Sequence, residues 1–431
     1  MNTPICDFVR RYAESGCVRL HMPGHKGMGD IERLDLTEVC GADSLYEADG
    51  IIAESEANAS ALFGCPTFYS TEGASQCIRA MVHLAALHAR QQGKVPHIAA
   101  GRNAHKTFLS AAALLDVDVT WLYGSGEESY LSCRITPGDV EALEDVTALY
   151  LTSPDYLGNM ADIAAISLVC HRKGILLLVD NAHGAYLRFL PQSLHPMDLG
   201  ADLCCDSAHK TLPVLTGGAY LHIRDEKLAA QAKNALALFG STSPSYLILQ
   251  SLDAANQYLS DGYSEKLAGF TRMVGRCKEK LGAIGDEPMK LTIPAKAYGY
   301  TGIELAGLLR ERNIECEFAD PDYLVLMPTP EMGVQTLLLL ENALKQIPKK
   351  TAISDAPPKP GKAERVCGIR QALLSPGETL SVEQCLGKVL SAASVGCPPA
   401  VPILVCGERI DENAIACFRY YGIENCTVMM K

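Results

Sequence analysis

Between residues 95 and 207 the apolar positions gather into five short runs, "VPHIAAG", "DVTWLYG", "VTALYLTSP", "GILLLVD" and "ADLCCDS". Each is too short for a helix, and none shows the strict alternation of a strand with one wet face. Val/Ile/Leu-rich runs separated by helical patterns predict a parallel sheet covered by helices on both faces. Ahead of them, Ile78, Met81, Val82 and Ala85 repeat at helical spacing. Beyond residue 240, "PSYLILQSLDAANQYLSDG" reads as a helix and is followed by a mixed α/β stretch to about 348. The segment "PKKTAISDAPPKPGKAER" has linker composition. In the domain after it, Ser381 and Gln384 suggest a capping box ahead of a helix carrying Leu386, Val389 and Leu390. The expected organisation is an arm with substrate-side loops (1–59), a large α/β domain (60–240), a helix and small α/β domain (241–348), a linker (349–363) and a C-terminal domain (364–431).

With 431 residues, 48% hydrophobic and 20% charged, the chain has material for more than one core. A net charge of −12 without a long basic run argues against a nucleic-acid surface. No uninterrupted apolar stretch is long enough for a membrane span, and "MNTPICDFVRRYAESG" lacks the order of a secretory signal, so a cytoplasmic location is expected. The 17 cysteines then read as reduced, buried hydrophobes. His83 and His88, five apart, face different sides of a helix, and no metal site is expected.

In parallel sheets ligands bind beyond the carboxyl ends of the strands. The polar residues there are Asp180 before "NAHGAY", His209 and Lys210 after "DLCCDS", His105 in "RNAHKT", and the segment "TSPDYLGN". Small and hydroxyl residues from Ser70 to Ser75 precede the helical pattern at Ile78, which outlines an anion site at a helix N-terminus. A lysine, a carboxylate, a histidine and a phosphate cradle along one sheet edge are the groups pyridoxal phosphate requires. The residues alone leave alternatives open: a solvated loop for Lys210, a helix cap for Asp180, structural roles for the three histidines and an ordinary turn at "EGASQ".

The segments "RLHMPGHKG", "LDLTEVCGADSLYEADGIIAESE", "RNAHKT", "LLVDNAHGAY", "SAHKTLPVLTGGAYL" and "STSPSYLILQSLD", in this order, resemble the ornithine/lysine/arginine decarboxylases, pyridoxal-phosphate enzymes of fold type I with the aspartate-aminotransferase fold. "CPPAVPILVCGERI" extends the resemblance towards the C-terminus. The resemblance implies a large, mostly parallel sheet domain flanked by helices, a smaller α/β domain, a C-terminal domain, and a homodimer or higher homo-oligomer with shared sites. It implies that Lys210 forms the imine with the cofactor, that Asp180 partners the pyridinium nitrogen, and that His105 stacks on the ring. His183 would lie near the ring, Ser207 and His209 near the phosphate, with Gly73, Ala74 and Ser75 as the phosphate loop. Thr242 and Ser243 would reach a phosphate across the dimer interface. The activity implied is decarboxylation of arginine, lysine or ornithine to an amine and CO₂, a step of polyamine biosynthesis, with Lys210 or His209 returning a proton. The alternatives are another pyridoxal-phosphate reaction, such as transamination, elimination or oxidation, and a non-catalytic cofactor-binding protein.

Three positions depart from that pattern. Asn181 stands where the family has a glutamate in Asp-Glu-Ala-His, Tyr46 replaces a histidine, and Asp155 replaces a hydroxyl residue. Glu47, Asp49 and Asp155 are candidate partners for a substrate's distal cation.

Overall fold

The computed structural model describes residues 1–124, 129–359, 361–392 and 399–430, so Cys397 and Pro398 of the proline-rich segment lie outside the described residues. The chain divides into two compact units, one of residues 1–95 and 170–267, the other of residues 96–169 and 268–431.

The large sheet has seven strands. In chain order they are β1 (Thr67–Ser70), β2 (His97–Gly101), β3 (Asp118–Leu122), β4 (Ala148–Thr152), β5 (Leu176–Asp180), β6 (Leu203–Asp206) and β7 (Ala219–Ile223). All five apolar runs of the sequence are strands. The first unit contributes β1, β7, β6 and β5 in that order, and the second β4, β2 and β3. Pairs β5/β6, β2/β4 and β2/β3 are parallel, while β7 runs antiparallel to β6 and β1. The fold is therefore the mixed α/β one expected, with a mostly parallel sheet closed on one side by an antiparallel pair.

In the first unit β5 and β6 register Asp180 against Cys205, so the two strands end at the same rim. Burial explains their composition. Leu177, Leu178, Val179, Leu203, Cys204 and Cys205 are all fully buried, as expected for strands covered on both faces. Helix Ala74–Gln91 packs its Cys77, Ile78, Met81, Val82 and Ala85 face inwards. Helix Tyr246–Ser260 begins where the sequence suggests, with Ser245 accepting a hydrogen bond from Ile248 N.

The second unit carries two further sheets, β8 (Leu291–Pro294), β9 (Phe318–Ala319) and β10 (Tyr323–Leu326) in the order β8-β10-β9, and the hairpin-like pair β11 (Gly377–Ser381) and β12 (Asn425–Met429). The last 65 or so residues build their own core around Leu390, Ile410, Phe418, Cys426 and Val428. Here the helix expected after Ser381 does not form. Ser381 ends β11, a single 3-10 turn Val382–Gln384 follows without a side-chain cap, and Val389 and Leu390 make strand-like bridges to Arg409 and Val428. Gly387 breaks the run in the left-handed region, with φ 77°, and Leu390 after it is buried in the β11/β12 core. No helix among the described residues is long and apolar enough to cross a membrane.

Candidate active site

The site grows from the rim of β5 and β6 in the first unit. Asp180 is the last residue of β5 and is 3% exposed; its Oδ1 accepts from Ala182 N at 3.2 Å and from Cys205 Sγ at 3.7 Å. Beyond β6 the chain turns at buried Ser207 into a short helix, Ala208–Thr211. Lys210 sits on that helix, and its Nζ lies 3.0 Å from Nε2 of His183. The two strand ends thus bring the predicted lysine, carboxylate and histidine to one rim. His209 is tied down on the same helix. Both its backbone N and its Nδ1 donate to Gly218 O, at 3.2 and 3.0 Å, which ties the helix to the start of β7.

Helix Ala74–Gln91 starts in the same unit. Its N-cap, Gly73, has φ 72° and ψ 177° and donates its N–H to Gly217 O at 2.7 Å. Only glycine takes that conformation without cost. A Cβ added there would approach Ser75 N to 4.0 Å, covering the mouth of the helix N-terminus. The first N–H groups of an 18-residue helix and its dipole favour an anion at that point. Next to Lys210, the buried hydroxyl of Thr211 has no hydrogen-bond partner among the described residues. A bare left-handed glycine at a long helix N-terminus, an amine-to-imidazole contact and a buried strand-end carboxylate are the donor set that pyridoxal phosphate needs, so the residues present fit the group.

The remaining expected residues are spread more widely. Ser241 N donates to the Glu72 carboxylate, which sets the 241–243 loop beside the phosphate turn of its own chain, while the Thr242 and Ser243 side chains are exposed. His105 belongs to the second unit. There it caps helix Lys106–Leu115, its Nδ1 accepting from Thr107 N at 3.1 Å, which leaves Nε2 as the protonated nitrogen. Asp155, also in the second unit, is 4% exposed and has both oxygens occupied. Leu157 N and Asn159 N donate to Oδ1 at 2.9 Å, and Ser132 Oγ and Asn159 Nδ2 donate to Oδ2 at 2.7 and 2.9 Å. Burial pushes its carboxyl above the usual range. Those four donors make it the organiser of a turn, a role the sequence-based pairing with a substrate cation did not foresee. Glu47 and Asp49 are exposed.

Sequence reasoning also missed a group directly below the rim. Asp206, the last residue of β6, is fully buried, and its Oδ2 accepts from Nε2 of both His195 and His222 at 3.0 Å. Burial alone would raise its carboxyl, but the two imidazoles outweigh that and hold it well below the usual range. The strand-end rule that singled out Asp180 applies equally to Asp206. Cys204 and Cys205 are fully buried and burial pushes both thiols far up, so neither supplies a thiolate.

The Orn/Lys/Arg decarboxylase major-domain profile matches residues 3–280, which takes in every residue of this rim. The chain belongs to the Orn/Lys/Arg decarboxylase family. This decarboxylase is 29% identical over 465 residues to an arginine decarboxylase of Halalkalibacterium halodurans, covering 97% of this chain and 93% of the relative. It is also 29% identical over 462 residues to YaaO of Bacillus subtilis, an uncharacterized protein, covering 96% and 93%. Among solved structures, the lysine decarboxylase LdcF of Francisella novicida matches 99% of this chain and 81% of its own, with a TM-score of 0.80 and 16% identity. That likeness establishes the pyridoxal-phosphate fold type I architecture. The decarboxylase is thus an enzyme of the amino-acid decarboxylase class.

Proposed function

We propose that the enzyme removes CO₂ from a basic amino acid, arginine, lysine or ornithine, using pyridoxal 5'-phosphate, and releases the amine that polyamine synthesis uses. The observation that carries this reading is the Lys210 Nζ to His183 Nε2 contact of 3.0 Å on the rim that also ends in Asp180. Arginine and lysine gain support from the names of the relatives and structural neighbours.

When bound, the cofactor supplies an electron sink for the charge left on the α-carbon as CO₂ departs. Lys210 is the residue that tethers it. Asp180, buried and negative, keeps a proton on the ring nitrogen, because an opposite charge close by favours the protonated form. His183 accepts from Lys210 Nζ and so fixes where the amine points. Ala74 and Ser75 offer backbone N–H groups to the phosphate, while Gly73, its own N–H donated to Gly217 O, leaves the approach open, with Ser207 and His209 flanking it. His105 keeps the ring-stacking part that the family resemblance gives it. Orienting the substrate's carboxylate for departure would fall to the residues that line the rim. Lys210 or His209 then returns a proton to the α-carbon.

We further propose a cytoplasmic homodimer. Val18, Leu20, Met22, Met28 and Ile31 form an exposed apolar stretch in the N-terminal arm, with Leu20 and Met28 both 91% exposed, an arrangement that suits a second copy of the chain. Thr242 and Ser243, exposed, are the residues assigned to the partner's phosphate. The sixteen described cysteines are all free, which suits a reducing compartment. A panel of amino acids assayed for CO₂ and amine tests the main reading. Equal yields of CO₂ and amine from arginine, lysine or ornithine support it, and keto acid without CO₂ overturns it.

A further inference from the structure

Beneath the rim, and taking no part in the chemistry just described, lies a fully buried polar cluster. Asp206 accepts from His195 and His222 on Oδ2 and from Asn181 Nδ2 on Oδ1 at 2.7 Å. The two imidazoles meet edge to face at 5.1 Å, and the Phe63 ring lies 5.6 Å from one and 4.5 Å from the other. Three metal-ligating side chains come together here, but their hydrogen bonds point to another use. His195 Nδ1 accepts from Met197 N at 3.4 Å, so its proton sits on Nε2 and is donated to Asp206. A metal would need that lone pair. The cluster is a set of donors gathered around one anion.

Asn181 connects this anion to the site. It follows Asp180 directly, and along an extended chain neighbouring side chains point to opposite faces. The Asn181 side chain thus goes down to Asp206 while the Asp180 carboxylate goes up to the rim. Asn181 is pinned at three points: its N donates to Cys205 O at 3.0 Å, its O accepts from Gly184 N at 2.8 Å, and Nδ2 donates to Asp206. The amide orientation is dictated by the anion, which leaves Asn181 Oδ1 buried without a partner among the described residues. Such a group costs stability, and an apolar residue would avoid the cost. The arrangement therefore serves something other than stability. A glutamate, the residue this position carries in the family pattern, would set a second carboxylate against Asp206 unless it held a proton.

We propose that Asp206 is a positioning residue: with Asn181 as the link, it fixes the backbone at the end of β5 and hence the direction in which Asp180 presents its carboxylate. This rests on Asp180 facing the cofactor ring as proposed above. The test is a set of full-length variants reconstituted with pyridoxal 5'-phosphate, read by cofactor dissociation constant and by the pH midpoint of the bound cofactor's visible absorbance. Asn181→Ala keeps the Asp206–imidazole contacts and should weaken cofactor binding about 10-fold and move the midpoint by about half a unit or more, with kcat falling more than KM changes. Asn181→Asp, which opposes two carboxylates, should be worse than Asn181→Ala. The exchange Asn181→Asp with Asp206→Asn, which restores one donor and one acceptor between the two positions, should recover part of that loss. A merely structural role would lower the melting temperature and leave the midpoint in place. Unmoved affinity and midpoint in folded Asn181→Ala overturn the positioning role alone, as does an exchange variant no better than Asn181→Asp. A wild-type protein that shows no cofactor band overturns the proposed function and this inference together.

Discussion

Asp155 and Asp206 are both buried aspartates near the carboxyl ends of sheet strands, and both accept several hydrogen bonds, yet they do different work. The donors of Asp155 come from its own turn, residues 157 and 159, and from Ser132. Those of Asp206 come from the end of β5, from β7 and from the segment before β6. The first acid shapes a loop and is used up in doing so. The second ties three separate segments of the chain together under the residues that face the rim. A buried acid is therefore informative when one asks where its donors originate, more than when one counts them.

The largest effect that would sharpen this contrast is at the rim itself. Lys210→Ala should lower the rate of CO₂ release on the order of 10³-fold or more, because no other residue of the rim replaces the tethering amine; a variant with near wild-type turnover would remove the rim from the chemistry. Asp180→Asn should lower kcat about 10²-fold while cofactor absorbance is still seen on reconstitution, since the charge that holds the ring proton is gone but the shape is kept. Asp155→Ala should act on the other side of the comparison, costing about 3 kcal/mol in denaturant unfolding by stranding buried donors, with kcat of the folded fraction within about 3-fold of wild type. A large loss of kcat there would erase the distinction between the two acids.

Acid titration offers a subtler test. The Asp206 carboxyl is held below its unfolded value, so its contribution to stability is complete above about pH 4 and fades as the pH falls further. Melting temperatures of wild type and Asp206→Asn should therefore converge on acidification below that point; a gap that stays constant contradicts the assignment. The smallest effect is a control remote from both acids. Thr301 and Glu304 form a reciprocal cap on helix Gly302–Arg310, and Thr301→Ala should cost about 1 kcal/mol by thermal unfolding and leave kcat unchanged.

Much of the sheet was legible because buried parallel strands impose a composition of their own: each of the five apolar runs from "VPHIAAG" to "ADLCCDS" is a strand. The antiparallel strands β1 and β7 were not, because "TFYS" and "AYLHI" sit beside glycines and hydroxyls that read as turns. The false helix after Ser381 came from three leucine and valine positions whose spacing suits a helix, but only Leu390 is buried, in a core built with the distant strand β12, while Leu386 is exposed. At the site, Lys210 and Asp180 stood out because each comes at the end of a strand, and His183 through its resemblance to the family's Asp-x-Ala-His pattern. The carboxylate of Asp206 was hidden by the cysteines before it, and its partners His195 and His222, 11 and 16 residues away, carry no motif spacing, so only the folded chain joins them. Asp155 misled for a related reason, since the sequence gives the charge and not the donors that consume it.

Gly184 carries a further consequence for how this chain can change. Its φ is ordinary for any residue, but a methyl group on its α-carbon would fall 2.0 Å from Asn181 Oδ1. The two positions are therefore coupled: the same methyl would also fall 2.7 Å from Leu187 Cδ1, so alanine at 184 needs both a smaller residue at 181 and a shift of the Leu187 side chain.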